Sequence, residues 1–284
     1  MPSLALEKPL HNLQSHNFKF MSLRCYDAHN HLQDDRFAGL QESIIAACRA
    51  AGVTRMVVNG ACESDWPQVQ TLARSFPDLI QPSFGYHPWY LHERTPNWQA
   101  TLETFLNETP HAVIGEIGLD RWKSDLPYAR QEEMFTAQLH LAAVRDLPAS
   151  IHCLQTWGRL HELLCVGPRP RAGFLLHSYG GPVEMVAPLA KLGAYFSFPG
   201  YFAHARKARQ CETFRHIPSD RLLIETDAPD QLPPDILRRH TLSDNTLNHP
   251  ANLAVIYEFL ADFLQEPLAT LSARVEENFQ RLFE

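Results

Sequence analysis

The chain has 284 residues, of which 45% are hydrophobic and 20% charged, and its formal net charge is −7. This is the composition of an ordinary globular protein that is long enough to form one large core. The negative charge excludes a protein that coats nucleic acid through global electrostatic attraction, so a polyanionic substrate would need a local binding site. No run of about eighteen apolar residues occurs, and we predict no membrane partner.

The six cysteines are scattered without a Cys-x-x-Cys pair, which predicts reduced thiols and a cytoplasmic protein. Residues 1–20 mix charged and polar side chains and contain no apolar stretch of signal-peptide length. We predict a disordered or frayed extension over residues 1–20 and one domain over residues 21–284.

Short β-branched or apolar runs alternate with segments of helical period, a pattern typical of repeated βα units around a parallel sheet. The predicted strands are residues 24–28, 55–59, 80–85, 112–116, 148–151, 173–176, 194–198 and 221–225. The predicted helices are residues 40–51, 66–75, 98–107, 130–145, 157–164, 182–192, 204–216, 251–264 and 268–283. Eight such units predict an α/β fold, a single-domain (β/α)8 TIM barrel.

Side chains that bind metals fall at the ends of five predicted strands. They are His29 and His31 after the first strand, Glu116 at the end of the fourth, His152 after the fifth, His177 after the sixth and Asp227 after the eighth. Residues two apart in an extended segment point to the same face, so His29 and His31 converge. Active sites of barrels lie at the carboxyl ends of the strands, where we expect all these side chains to meet.

Six ligands are more than one tetrahedral ion needs, but they suit two divalent ions that share a carboxylate, for which Glu116 is the candidate. Mixed histidine and carboxylate ligands accept Zn, Mn, Fe or Mg, and the sequence leaves the choice open. Two neighbouring cations lower the pKa of a water molecule and stabilise the charge that develops on the attacked centre. The predicted reaction class is metal-assisted hydrolysis.

These residues stand in a series of motifs that resembles the TatD family of metal-dependent deoxyribonucleases, within the amidohydrolase-like metal barrels. The resemblance covers most of residues 21–284. Its motifs are Asp27-x-His29-x-His31, Gly85-Tyr86-His87-Pro88, Gly115-Glu116-Ile117-Gly118-Leu119-Asp120, His152, His177 with Gly180-Gly181, Glu225-Thr226-Asp227-Ala228-Pro229 and Asn278-Phe279-Gln280-Arg281-Leu282-Phe283.

The resemblance implies a ligand set for each of two metal ions. One ion would be bound by His29, His31, Glu116 and Asp227, and the other by Glu116, His152 and His177. It implies that Glu116 and Asp227 are catalytic, that Asp227 orients or deprotonates the attacking water, and that Glu225 supports the site. The implied substrate is DNA or another phosphodiester, bound locally.

His87 matches a family position that lines the site, and we predict that it binds substrate together with Arg121 and Tyr179. Family members usually carry Arg two residues after the fifth-strand histidine, a second His after the Gly-x-His-Pro block and Asn-Glu-Pro after the last strand. This chain has Leu154, Trp89 and Asn248-His249-Pro250 there. Stacking on rim aromatics would be worth about 1–3 kcal/mol per base. The candidate aromatics are Trp89, Tyr90, Trp122, Trp157, Tyr179 and Tyr201.

Three functions remain open from the sequence. The first is a metal-dependent hydrolase and nuclease that cleaves DNA, which the family resemblance implies. The second is an amidohydrolase or lactonase that uses the same metals on a small substrate. The third is a metal-binding interaction protein with little catalysis, because a fold does not specify a function. Oligomeric state, cleavage direction and metal identity also stay open.

Overall fold

The computed structural model describes residues 23–123 and 126–284, and the predicted extension over residues 1–20 lies outside this part of the chain. Its strands are β1 (Cys25–Asn30), β2 (Val53–Asn59), β3 (Ile80–Phe84), β4 (Val113–Asp120), β5 (Ala149–Leu154), β6 (Phe174–Leu176), β7 (Ala194–Pro199) and β8 (Leu222–Glu225). Its α-helices are α1 (Gln41–Ala50), α2 (Trp66–Ser75), α3 (Trp98–Glu108), α4 (Tyr128–Arg145), α5 (Trp157–Val166), α6 (Val186–Lys191), α7 (Ala208–Thr213), α8 (Leu253–Leu264) and α9 (Leu268–Phe283).

The eight strands form one parallel sheet in sequential order, and backbone hydrogen bonds beside the ends of β8 and β1 join its two edges. The N–H of Asp227 donates to the carbonyl of His29 at 3.0 Å, and the N–H of His31 donates to the carbonyl of Ala228 at 2.7 Å. Helices alternate with the strands along the chain. The predicted single-domain (β/α)8 TIM barrel is confirmed.

Asp27 links β1 to the end of β8 from a fully buried position. One carboxylate oxygen accepts the backbone N–H of Thr226 at 2.9 Å, and the other accepts the Thr226 hydroxyl at 2.6 Å. The side-chain amide of Asn30 donates to the second oxygen at 3.1 Å. We call this junction of β1 and β8 the seam of the barrel. His29 adjoins Asn30 and Asp227 adjoins Thr226, so the seam also sets the distance between two candidate metal ligands.

The last two helices, α8 and α9, cover this seam from outside and contact both β1 and β8. Leu271, Val275, Phe279 and Leu282 recur at helical spacing on α9, and all four are buried. Burial of each such side chain contributes about 1.5–3 kcal/mol. The Tyr257 hydroxyl of α8 donates to the carbonyl of Tyr26 at 3.0 Å, which ties the outer layer to β1.

Strands β4 and β5 run four and three residues further than the predicted ranges 112–116 and 148–151. A register shift between Ile114 and Ile117 lets the two strands pair again as far as Asp120 and Leu154. The extension has a physical cause, because backbone groups beyond Glu116 find partners on the neighbouring strand instead of water. Glu116 therefore lies in the middle of a strand.

The predicted helices 182–192 and 204–216 are shorter in the structure, where 3₁₀ turns flank α6 and α7. Pro188 explains the late start of α6. Proline has no N–H to donate and is tolerated in the first turn of a helix, where that N–H would lack a partner. A helix that began at Pro182 would place Pro188 in its interior.

Among the residues that the structure describes, no helix combines the length and the apolarity needed to cross a membrane. The cysteines are free thiols, and all of them except Cys165 are buried. Burial raises the pKa of Cys211 to about 11 and that of Cys153 to about 12, which leaves these thiols protonated at neutral pH. The buried cysteines therefore act as small core side chains.

Candidate metal centre

The structure brings the six predicted metal ligands into one cluster, on or just after five strands. His29, Glu116 and His152 lie within β1, β4 and β5, His31 and His177 directly follow β1 and β6, and Asp227 is the second residue after β8. All are buried except His31, which is partly exposed. Parallel strands of a barrel end at one rim, and for this reason residues 198 positions apart in sequence, His29 and Asp227, become neighbours.

Glu116 occupies the centre of this cluster, and its two oxygens face different histidines. Oε2 lies 3.4 Å from His29 Nε2 and 3.3 Å from His31 Nε2. Oε1 lies 2.9 Å from His177 Nε2 and 3.1 Å from His152 Nδ1. This division of the two oxygens is the geometry expected of a carboxylate that bridges two cations.

The spacing of the first group fits a tetrahedral metal ion. His29 Nε2 and His31 Nε2 are 3.3 Å apart, and each is 3.6 Å from Asp227 Oδ1. Four N or O atoms bound tetrahedrally at about 2.1 Å would lie about 3.4 Å from one another. The observed separations cluster around that value and exceed the usual length of a hydrogen bond. The donor set therefore fits a divalent metal ion.

Hydrogen bonds behind two of the histidines direct their lone pairs into the cluster. His31 Nδ1 is 2.8 Å from the carbonyl oxygen of Asn59, and His152 Nε2 is 2.9 Å from Asp120 Oδ2. A carbonyl or carboxylate oxygen only accepts, so these two nitrogens carry hydrogen. When the ring is neutral, His31 Nε2 and His152 Nδ1 are unprotonated and face Glu116, as metal binding requires.

Charge in the cluster is strongly coupled. Burial opposes ionisation of Glu116, but the imidazoles of His87, His177 and His29 outweigh it and hold the pKa of Glu116 well below its usual range. Burial also opposes ionisation of Asp227, but the nearby imidazoles of His31 and His177 lower its pKa to about 2. Two buried carboxylates stay negative, which is the electrostatic environment that a bound cation needs.

Two glycines allow the strands to approach each other around Glu116. A Cβ on Gly115 would lie 2.7 Å from Ser150 Cβ and 2.8 Å from Ser83 Oγ. A Cβ on Gly118 would collide with the carbonyl of His152. The spacing of β3, β4 and β5 at the site therefore depends on residues without a side chain.

Glu225, which the family resemblance places in support of the site, is fully buried beside the cluster. It accepts hydrogen bonds from the hydroxyls of Ser178 and Ser197, and His177 Nδ1 lies 3.6 Å from its Oε1. Within the described ranges its ion-pair partner is this histidine and not Arg or Lys. Glu225 therefore places a carboxylate behind a ring whose other side faces Glu116.

Three supporting residues were not assigned a role from the sequence. Asp120 orients His152, Ser197 donates to Glu225, and Gln231 Nε2 donates to Asp227 Oδ2 at 2.6 Å. Gln231 holds Asp227, a candidate ligand whose backbone has the left-handed φ of 51° that residues with side chains rarely adopt. Asp120 could have been found as a carboxylate that ends an apolar strand, whereas nothing in the local sequence singles out Ser197 or Gln231.

The three predicted substrate-binding residues are placed differently. His87 lies in the cluster, with Nε2 3.4 Å from Glu116 Oε1. The Arg121 guanidinium stacks over the ring of Tyr128, 3.9 Å from its centroid, at the start of α4. Tyr179 is fully buried, and its hydroxyl donates to the carbonyl of Pro182 at 2.8 Å. His87 is thus the one of the three that the structure brings to Glu116.

A family model described as TatD related DNase matches residues 26–284. The chain belongs to this family. The TatD assignment confirms the predicted class, a metal-dependent hydrolase, and the candidate metal centre lies within the matched residues. A protein named 3'-5' ssDNA/RNA exonuclease TatD from Edwardsiella piscicida is 32% identical over 253 residues, which are 89% of this chain and 96% of the relative.

Another TatD relative with the same name, from Escherichia fergusonii, is 32% identical over 263 residues, with coverage of 91% of this chain and 98% of the relative. Among solved structures, a TatD homologue from Escherichia coli K12 superimposes with a TM-score of 0.84 at 26% identity, covering 92% of this chain and 98% of the homologue. A TatD family hydrolase from Entamoeba histolytica, with a TM-score of 0.79 at 17% identity and coverage of 93% and 99%, shares the fold.

Proposed function

We propose that this TatD-family chain is a phosphodiesterase that cleaves single-stranded nucleic acid and holds two divalent metal ions. The observation that carries the proposal is the division of the Glu116 oxygens, Oε2 towards His29 and His31 and Oε1 towards His152 and His177. The relatives named 3'-5' ssDNA/RNA exonuclease support the choice of a single strand and of cleavage from the 3' end.

The proposed ligand sets follow the two sides of Glu116. His29, His31 and Asp227 would hold one ion, His152 and His177 the other, and Glu116 both. His87 Nε2 lies 3.4 Å from Glu116 Oε1 on the second side, and because its Nδ1 accepts the N–H of Trp89, Nε2 of the neutral ring carries hydrogen. Divalent ions in this cluster would lower the pKa of a nearby water molecule and offset negative charge on the phosphate oxygens.

The residues of the chain would orient the reactants and accept the proton. Asp227 is ionised at neutral pH because its pKa is about 2, and Gln231 holds its Oδ2 while Oδ1 faces His29 and His31. We propose that Asp227 orients the attacking water and takes its proton. Burial lowers the pKa of His87 well below its usual value, so this ring is neutral and can hydrogen-bond to a phosphate oxygen.

The test is hydrolysis of bis(p-nitrophenyl) phosphate and of a labelled single-stranded oligonucleotide by protein stripped with chelator and reloaded with Zn, Mn or Mg. Cleavage that requires a metal and is lost in Asp227→Asn would support the proposal. The isosteric change removes the negative charge and the proton acceptor. Protein that holds metal but cleaves neither substrate would refute it and direct the search to amides, lactones and protein partners.

Metal uptake is expected to release protons. Burial disfavours the charged form of His31 and His177. Nearby carboxylates outweigh this effect and raise the pKa of both rings well above its ordinary value: Asp227 and Glu116 for His31, and Glu116 and Glu225 for His177. A ligand nitrogen must lose its proton to bind. Affinity should therefore fall as pH is lowered, beginning above the ordinary imidazole pKa of about 6.5. Calorimetry in buffers of different ionisation enthalpy measures the release, and a pH-independent affinity would contradict it.

Asp120→Asn is expected to weaken metal affinity by about 10- to 100-fold. Asp120 Oδ2 accepts from His152 Nε2 and from Trp89 Nε1, at 2.9 and 2.8 Å. In one orientation of the asparagine amide, its NH₂ group faces the two N–H donors and cannot accept from them. In the other orientation an oxygen still accepts, but the negative charge that orients the His152 ring is lost. Competition with a metallochromic chelator measures the affinity. Asp35→Asn, at an exposed site, is the matched control and should bind as wild type does.

A further inference from the structure

Trp122 is an exposed aromatic side chain two residues after the end of β4, with 61% of its surface accessible. The other large apolar side chains that the described ranges leave exposed are aliphatic. A tryptophan buries more apolar surface than almost any other side chain, so an accessible one beside a catalytic rim indicates a surface that is covered when a ligand binds.

A row of rings connects Trp122 to the candidate metal centre. The ring centroid of Trp89 lies 6.2 Å from that of His152 and 6.1 Å from that of Trp122, and the two indoles are tilted by 30°. Trp89 Nε1 donates to Asp120 Oδ2, the same oxygen that lies 2.9 Å from His152 Nε2. The orientation of Trp89 is therefore set by the residue that orients a proposed metal ligand.

A cation lies against this row. Lys123 Nζ is 3.7 Å from the ring centroid of Trp89, within the range of a cation–π contact. The turn that carries it is held by Asp120, whose Oδ1 accepts the N–H of Trp122 at 2.6 Å and that of Lys123 at 3.2 Å. The neighbouring strand, β5, ends in the uncharged Leu154. Lys123 therefore provides the positive charge that Leu154 does not provide at this part of the rim.

We infer that Trp122, Trp89 and Lys123 form a subsite for an unpaired base and its adjacent phosphate, on the side of the metal centre next to His152. This inference rests on the proposed nuclease function and adds the place where the strand is held. Every base has a π-face that can stack on an indole, whereas the bases of a duplex are already stacked. Because the chain carries a net charge of −7, a local lysine has to provide the attraction for phosphate.

The test is equilibrium binding of a short fluorescein-labelled oligothymidylate, measured by fluorescence anisotropy in EDTA, where cleavage is stopped. Trp122→Ala is expected to weaken binding by about 5- to 150-fold, the equivalent of one lost base stack. Trp122→Phe should restore most of the affinity because phenylalanine keeps a π-face. Val166→Ala, at a remote exposed position at the end of α5, is the control and should bind as wild type does.

A strand with abasic sites separates stacking from charge. Wild type should bind it more weakly than oligothymidylate, and Trp122→Ala should bind the two strands equally. Equal binding of oligothymidylate by wild type and Trp122→Ala would overturn the subsite, as would a Trp122→Phe variant as weak as the alanine. Hydrolysis of bis(p-nitrophenyl) phosphate by wild type reports on the metal centre separately. If the subsite proposal fails, the binding of Trp122→Ala equals that of wild type while hydrolysis is intact. If the nuclease proposal fails, hydrolysis is absent while the loss of binding in Trp122→Ala remains.

Discussion

Glu116→Gln is expected to reduce phosphodiester hydrolysis by about 10³-fold or more and to lower the metal content of the purified protein. Within the described ranges, Glu116 is the one carboxylate whose oxygens face both histidine groups, His29 with His31 and His152 with His177. Glutamine keeps the shape but has one oxygen and no charge, so one of the two groups loses its acceptor. Metal analysis by mass spectrometry together with steady-state kinetics measures both effects.

Two further variants sharpen this test. Glu42→Gln removes an exposed carboxylate on α1 and should leave metal content and activity unchanged. Glu116→Asp keeps the charge but retracts the oxygens by one methylene, and it should retain more metal than Glu116→Gln while remaining slow. Full metal content with wild-type turnover in Glu116→Gln would rule out a bridging role for this residue.

Asp27→Ala is expected to lower the free energy of unfolding by about 3–5 kcal/mol. The carboxylate accepts two hydrogen bonds from Thr226 and one from Asn30 in a fully buried position at the β1–β8 seam. Alanine leaves these donors without partners and opens a cavity between the strands. Denaturant unfolding of the metal-free protein measures the loss, because bound metal would add its own stabilisation.

Asp262→Ala is the matched control for this change, since Asp262 is an exposed aspartate on α8. It should change the free energy of unfolding by no more than about 0.5 kcal/mol. We also expect Asp27→Ala to weaken metal binding, because His29 is two residues away and its carbonyl accepts from Asp227 across the seam. An unfolding midpoint equal to that of wild type would show that the seam does not depend on this carboxylate.

Part of the candidate site follows from local sequence alone. The alternation of apolar runs and helical segments predicts eight βα units, and parity along β1 predicts that His29 and His31 point the same way. Residues that end the strands of a barrel meet at one rim, whatever their separation in sequence. The cluster around Glu116 was predictable because this rule requires no knowledge of side-chain contacts.

Other features depend on how distant segments pack. The register shift between β4 and β5 spans Glu116, and a shift arises from pairing between strands. Ser197 contacts Glu225 because β7 and β8 pair, and Gln231 contacts Asp227 through the turn after β8. Ser197 and Gln231 carry no local signal of their own, which is why the sequence did not reveal these two contacts.

The substrate-binding predictions mark the boundary between the two kinds of information. His87, Arg121 and Tyr179 all follow strands, but the turn after β4 directs Arg121 to Tyr128, and packing buries Tyr179. The barrel and the rim residues follow from the amino-acid sequence, because both depend on short-range periodicity. Which rim side chains face Glu116 depends on the folded chain, since turn geometry and packing set the direction of a side chain.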